Sequence, residues 1–340
     1  MIRKKIAGAI LAAVMTASFI LSGCSANSID PGTTVATIGD TKIAFGLANI
    51  LLRMQQANYD TYYKAYFGDD MWTKDEDGSG ETLGENVKKG VMDSLQEMYA
   101  ADAHKSEYNI ELTEQEMNTI KETAKSFMNR NGSVVKSGYA VTREEDVAEL
   151  LRLYTVRTKV ANAIKATADK NVTDEEAAQR SFSYVSLDLN SKAGENGDVV
   201  DLTDDEKAEV RKKMAKLAED AKAGGNFDEL AKAIDETVKT DSYGKNDDGT
   251  VEEVRKEADK LKEGEYSEPF EADGLLFVIR LDKEFDREAT DNKKKSIISE
   301  REQAKYEEVT TPWKEALEVK TEETWSKVGF ERTMALSQGK

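Results

Sequence analysis

Leu261-Lys262-Glu263-Gly264-Glu265-Tyr266-Ser267-Glu268-Pro269-Phe270 carries a helix end, a turn and a strand start in one short run. Upstream, Val251, Val254, Ala258 and Leu261 recur at helical spacing, and the pattern stops at Gly264, the residue type that most readily takes the left-handed conformation after a last turn. Downstream, Glu268–Ala272 and Leu275–Leu281 read as strands joined by Asp273-Gly274, a dipeptide that tolerates the positive φ of a tight hairpin. Further back, Ser183, Val185, Leu187 and Leu189 alternate with Phe182, Tyr184 and Ser186, which predicts another strand, and Gly194–Gly197 reads as a loop. Val210, Met214, Leu217, Ala218 and Ala221 predict a helix stopped by Gly224-Gly225, and Phe227, Leu230, Ala231 and Ile234 a second, short one. Asp241–Gly249 is polar and reads as a loop. Strand, helix, helix, loop, helix and hairpin follow one another over 181–284, the order of a small α+β domain.

The preceding part has another texture. Val35–Ile38 alternates and ends at a Gly39-Asp40 turn, so a short strand is expected. Leu47, Ile50, Leu51 and Met54 then begin a helix, and Tyr59, Tyr62, Tyr63, Tyr66 and Phe67 prolong it as an aromatic stripe. That stripe fits a helix–helix core, or a sticky surface for unfolded chains. Thr113, Thr142, Thr173 and Thr203 each precede a Glu by three residues, the spacing of a capping box, in which hydroxyl and carboxylate satisfy each other's backbone amides. Residues 35–180 are therefore mostly helical, without strand–helix alternation. Residues 287–317 predict a charged helix, with Pro312 able to start a fresh turn. Trp313, Trp325, Val328 and Phe330 make an apolar tail, and 285–340 is expected to pack on the N-terminal helical part, making that domain discontinuous.

Composition narrows the chemistry. The 340 residues carry a formal charge of −18, which argues against a nucleic-acid partner, because phosphate binding needs clustered cations. One Cys excludes an internal disulfide or Cys-rich zinc site, and one His, His104, excludes a multi-His metal centre. His104 falls on a helix with Val91, Leu95 and Met98 and reads as a boundary residue. Asp75, Asp77, Ser79 and Gly80 share residue types with a calcium loop, but Asn86 stands where the last carboxylate belongs, one residue past Glu85. A solvated turn-rich loop is the simpler reading; no metal and no cofactor are expected.

Arg3, Lys4 and Lys5 precede an apolar run, Ile6–Ile20, too short for a comfortable membrane span. Leu21-Ser22-Gly23-Cys24 follows and resembles a bacterial lipobox, in which the Cys is acylated and becomes the new N-terminus. On this reading 1–23 is a lipoprotein signal peptide, 24–34 a tether, and Cys24 the lipid attachment that holds the protein on the extracytoplasmic face of a bacterial membrane. Removal of 1–23 would take off three positive charges and leave −21.

The whole arrangement resembles the SurA/PrsA type of extracytoplasmic foldase: a SurA-N-like helical chaperone domain, discontinuous, with a parvulin-type peptidyl-prolyl isomerase domain. The quoted decapeptide resembles the family's L-x-x-G-E-x-S-x-P, and Gly225-Asn226-Phe227-Asp228-Glu229-Leu230-Ala231 its G-x-x-F-x-x-L-A. The resemblance implies unfolded or exported polypeptides as partners. It also exposes departures. Active parvulins usually carry a His in the first strand and another in the last; here those places fall at about Tyr184 and at Leu276 or Phe277, and 181–282 contains no His. The family's Gly-Gly-Asp-Leu-Gly is missing, with Ser242-Tyr243-Gly244-Lys245 near it, and Asp241 stands near the family's polar Cys or Asp. Asp241 and Tyr184 are therefore the weak catalytic candidates, and Tyr184, Tyr243, Phe270 and Phe277 a candidate peptide groove. Prolyl isomerisation forms no covalent bond; it needs a pocket that holds a twisted amide, against a barrier of roughly 18–20 kcal/mol. Without the polar frame of two His residues, peptide binding with weak or absent isomerase turnover is expected. An active isomerase with a His-free pocket is the alternative, and a solute-binding lipoprotein a remoter one.

Overall fold

The computed structural model describes residues 19–22, 29–75, 78, 80–193, 198–245 and 249–336, and the chain divides into two units, 1–168 with 302–340, and 169–301. The first unit begins with β1 (Phe19–Ser22), β2 (Thr34–Ile38) and β3 (Thr41–Ala44). Gly39 turns the β2–β3 hairpin at φ +54, a conformation glycine takes at little cost. Helices α1 (Phe45–Tyr62), α2 (Lys64–Phe67), α3 (Leu83–His104), α4 (Glu114–Lys136) and α5 (Glu144–Lys165) follow. Capping boxes start α3 at Thr82/Glu85 and α4 at Thr113/Glu116. The box expected at Thr142 does not form. Arg143 is the N-cap of α5, Thr142 is buried, and the Asp146 carboxylate accepts from the Arg143 backbone N–H at 2.9 Å.

The second unit comprises α6 (Asp174–Ala177), β4 (Arg180–Asp188), β5 (Ser191–Ala193), β6 (Val199–Asp201), α7 (Asp204–Lys222), α8 (Phe227–Lys232), β7 (Lys239–Tyr243), α9 (Glu252–Ala258), β8 (Phe270–Ala272) and β9 (Leu275–Lys283). The chain leaves it along α10 (Arg287–Glu315), which runs through Pro312 rather than restarting there, and ends in the first unit with β10 (Val319–Thr321), α11 (Glu323–Ser326) and β11 (Thr333–Leu336). β10 pairs with β2 and β11 with β1, both antiparallel. Trp325, Val328 and Met334 share one core with Val35, Ile38, Leu52, Leu95, Phe127 and Leu150, so the two ends of the chain build one unit.

The aromatic stripe splits. Tyr59 packs on the buried Trp72, with ring centroids 5.5 Å apart. Tyr62, Tyr63, Tyr66 and Phe67 are exposed, Tyr66 to 85%, and so do not join the core. Tyr62 is the last residue of α1, and the chain then forms the separate single turn α2, which buries no residue before Gly68 at φ +88.

In the second unit the sheet order is β7-β4-β9-β8, every neighbour antiparallel. The decapeptide at 261–270 extends the β8 edge along β9. The Gly264 and Ser267 amides donate to Leu281 O (2.7 Å) and Ile279 O (2.9 Å), and the Leu281 amide donates to Glu265 O. The Ser267 hydroxyl is buried and accepts from the Ile279 amide at 3.0 Å. One sheet face packs Val185, Leu276 and Val278 on Met214, Leu217 and Ala221 of α7. The other packs Phe182, Tyr243, Phe277 and Ile279 on Val254 and Ala258 of α9. Residues 239–243, expected within or beside a polar loop, form the edge strand β7. Its Lys, Thr, Asp and Ser side chains show no apolar alternation because most of them stay exposed.

The compact units differ from the sequence ranges 35–180, 181–284 and 285–340. Residues 169–180 and 285–301 cluster with the smaller unit, and only 302–340 with the larger. Gln179 explains this: its amide donates to the buried Thr290 hydroxyl (3.1 Å), and its carbonyl accepts from the Asp286 amide (2.7 Å). Arg287 and Arg301 on α10 pair with Asp174 and Glu176 of the segment preceding β4. A fragment of 169–301 should accordingly melt cooperatively. A fragment of 181–282, stripped of these bonds, should melt roughly 10 °C lower, since about 2 kcal/mol shifts a small domain by that order. Equal melting temperatures by circular dichroism would show that the flanking segments add nothing.

Candidate functional site

Strand alternation decides which of the singled-out residues meet. Tyr184 stands opposite Ile279 and next to Phe182, which faces Leu281 on one side and Asp241 on the other. Leu276 pairs with Leu187 and lies on the α7 face. Phe277 lies on the α9 face, where its ring sits 5.7 Å from that of Tyr184. Of the two positions weighed for the second family His, Phe277 is therefore the one on Tyr184's face.

A chain of ring contacts covers this face. Phe270 stacks on Phe277 at 5.7 Å, Tyr184 leans on Phe182 at 5.7 Å, and Tyr243 meets Phe182 edge-on at 5.9 Å. Phe182, Tyr243 and Phe277 are buried; Tyr184 and Phe270 are half-buried. The four groove candidates are thus brought together, but they fill the space between them with their own rings. Phe182, a central member, was not among the candidates; its place two residues before Tyr184 in an alternating run was the available signal.

The polar groups around the face are tied down. The Tyr243 hydroxyl donates to Asp259 Oδ1 at 2.7 Å, and burial together with that carboxylate pushes the phenol well above its ordinary range. Lys239 Nζ lies 6.0 Å from the Tyr184 ring centroid. Asp241 is exposed; its carboxylate accepts from the Ser242 amide at 2.8 Å and from the Thr250 hydroxyl at 3.4 Å. It stands opposite Phe182 on the edge strand β7, on the sheet face of the ring cluster, and lines a cavity of about 890 Å³ with Thr240, Ser242, Asp282 and Asp286. The ring cluster supplies apolar contact, with the Asp241 carboxylate at its β7 edge.

The remaining sequence candidates lie elsewhere. His104 ends α3 in the larger unit, stacked on Trp313 at 4.2 Å with its Nδ1 2.6 Å from Glu107. The Asp75 carboxylate accepts from the Gly78 and Gly80 amides of its own loop, both at 2.8 Å, and Glu85 closes the cap of α3; Asp77 and Ser79 lie outside the described residues. No group of three or more potential metal ligands occurs among the described residues. Cys24 and Gly194–Gly197 also lie outside them. Among the described residues no helix is long and apolar enough to cross a membrane.

Comparison with known proteins bears on the smaller unit. Residues 193–291 match the family model of the PPIC-type PPIASE domain, a span that begins after β4 and runs into α10. The second unit is thus a parvulin-type domain, and the fold is α+β. The chain is similar to the foldase protein PrsA of Streptococcus pneumoniae, at 18% identity over 70% of this chain and 91% of that one, with a TM-score of 0.33. It is similar to the peptidylprolyl isomerase PrsA of Bacillus cereus, at 19% identity over 88% and 97%, with a TM-score of 0.33. A structure of the SurA-like chaperones PEB4 and Cj1289 of Campylobacter jejuni matches at 9% identity over 86% and 99%, with a TM-score of 0.27. No curated protein matches the chain.

The two classes of candidate respond differently to truncation. Phe277→Ala should cost the parvulin-type unit about 3–5 kcal/mol, as a buried aromatic does. Asp241→Ala, at an exposed position, should stay within about 0.5 kcal/mol. Denaturant melts of the two variants check this; the reverse order would mean that Asp241, not the ring cluster, organises the face.

Proposed function

We propose that this protein is a lipid-anchored, extracytoplasmic chaperone that binds unfolded or newly exported polypeptides, and that its parvulin-type domain has little or no isomerase turnover. One observation carries the second half of this reading. At the places where the resemblance sets the two His residues, the Tyr184 and Phe277 rings touch and close the sheet face. A prolyl amide needs an open apolar pocket with a hydrogen-bonding frame; here the chain's own rings occupy the volume, and its one His is in the other unit. The domain is then a folded platform, offering the half-buried Tyr184 and Phe270 as contact surface.

Chaperone action is supported by exposed apolar surface in the larger unit. Tyr62, Tyr63, Tyr66 and Phe67 are solvent-facing neighbours, and grouped exposed aromatics mark an interaction surface. The negative charge keeps such a protein soluble and favours positively charged clients.

Two assays on one preparation test the reading: light scattering of an aggregating client, and refolding of a protein limited by a prolyl bond. Scattering should fall in proportion to added protein, while the refolding rate stays within roughly twofold of the uncatalysed one. Strong catalysis, lost on changing Asp241 or Tyr184, would restore the enzyme reading; no effect in either assay would discard the foldase reading.

The anchor is tested separately. Cys24→Ser should move the protein from the membrane fraction to the medium, or leave it unprocessed at higher mass. A variant that still fractionates with membranes at the mature mass would remove Cys24 from the reading.

A further inference from the structure

Residues 19–22 belong to the segment that processing at Cys24 would remove, yet they occupy a built position in the larger unit. Phe19 is buried, with its ring edge-on to Phe127 at 5.9 Å. Its amide donates to Asn131 Oδ1 at 2.8 Å, a carboxamide itself 1% exposed on α4. The backbone of Phe19–Ser22 pairs antiparallel with β11, Phe19 opposite Leu336 and Ser22 opposite Thr333.

The opposite edge of β11 is fixed independently. The Met334 amide donates to Asp60 Oδ2 (2.8 Å), the Leu336 amide to Thr61 Oγ1 (2.9 Å), and Lys64 Nζ holds the Thr333 hydroxyl at 2.6 Å. Because amides alternate along a strand, those of Thr333 and Ala335 point to the β1 side. Loss of residues 19–22 would therefore uncover a strand edge held rigidly from behind, with Phe127 and Asn131 at its end. The exposed Tyr62, Tyr63, Tyr66 and Phe67 lie on the same stretch of chain as Thr61 and Lys64, which flank β11.

We propose that in the processed protein the place of Phe19–Ser22 is an acceptor for one extended segment of a non-native polypeptide. The segment would add a strand antiparallel to β11, set an aromatic side chain against Phe127 and donate a backbone N–H to Asn131. The leader is then a resident stand-in that keeps the site closed until cleavage. The occupant is an apolar extended chain because that is the chemistry of the segment seated there, Phe19-Ile20-Leu21-Ser22, and because edge pairing reads backbone rather than sequence. This inference rests on the proposed processing at Cys24.

A fluorescent peptide of residues 16–23 serves as probe. It is titrated into the processed chain starting at residue 24, carrying Cys24→Ala for solubility, and into the unprocessed 1–340 chain carrying Cys24→Ser; circular dichroism checks that both are folded. The processed chain should bind the peptide, and the unprocessed chain at least roughly tenfold more weakly. Substituting the probe leaves the protein intact: an Ile20→Pro peptide, lacking the N–H that faces β11, should lose about tenfold in affinity, and a Phe19→Ala peptide roughly tenfold or more. An unfolded client should compete with the probe.

No binding to a folded processed chain, equal binding to both chains, or indifference to Ile20→Pro would overturn the acceptor. So would a processed chain that dimerises through this edge, or one that binds only after residues 24–30 are deleted, since a second copy or the tether would then be the occupant. Protein from cells that still carries residues 19–22 would refute the processing reading, and the titration would still judge the acceptor by itself.

Discussion

The larger unit depends on a polar stripe buried inside it. Asn49, Arg53, Gln56 and Asp60 lie along α1 at helical spacing and are all buried. Each needs a partner, because a buried polar group left unpaired costs about 1–3 kcal/mol and a buried lone charge more. The partners come from far along the chain. Asn49 donates to the carbonyls of Tyr139 (3.0 Å) and Val141 (3.1 Å). Arg53 donates to the Tyr139 hydroxyl (2.8 Å) and Gly329 O (2.9 Å), with its guanidinium 3.8 Å from the Tyr139 ring centroid. Gln56 donates to Arg332 O, and Asp60 accepts from the Trp72 indole and the Met334 amide. Burial pulls the Arg53 guanidinium below its ordinary value, and the nearby Tyr139, Glu331 and Asp60 oppose that shift. Helix α1 can be buried only when the α4–α5 connection and the C-terminal tail have both arrived, and this makes the unit discontinuous.

That constraint also places the parvulin-type domain. With both ends of the larger unit committed to α1, the intervening chain forms a unit with its own two-faced sheet. One face is a plain core against α7. The other is the face where the resemblance puts the site, and there the sequence has substituted rings for polar groups. Rings in contact at 5.7 Å gain burial and quadrupole contacts. On the proposed reading, the same exchange keeps the domain stable and removes the catalytic frame.

What the sequence made legible follows from periodicity. The decapeptide at 261–270, the Asp273-Gly274 hairpin and the alternation at 182–189 are short-range signals, and each corresponds to an element in place. Gly264 at φ +84 and Asp273-Gly274 at φ +48 and +75 show why those residue types stand there. The polar stripe of α1 was not legible, since Asn, Arg, Gln and Asp at helical spacing read as a solvated face until their distant partners are known. β7 and β11 escaped for a related reason: the strands they pair with, β4 and β1, lie far away in sequence. The aromatic run at 59–67 had the right spacing for a core, but helical spacing predicts a face only while the helix lasts, and α1 ends at Tyr62. At the site, residue types implied the loss of a polar frame; that Phe277 rather than Leu276 shares a face with Tyr184 needed the register.

An exposed aromatic run would ordinarily invite self-association. The net charge of the chain opposes it. Asp69 and Asp70 directly follow the exposed rings, and although Lys64 and Lys74 pair with them, at 3.0 and 2.8 Å, the chain as a whole keeps its −18. Two copies approaching each other bring like net charges together, whereas under the proposed function an apolar or cationic client meets no such barrier. Screening acts on that discrimination more than on the apolar contact itself, because exposed charges lose reach beyond about 8–10 Å at ordinary salt while burial of rings does not depend on it. On the proposed reading, the same surface is adhesive towards unfolded chains and inert towards copies of itself, with the acidic composition a working part of that selectivity.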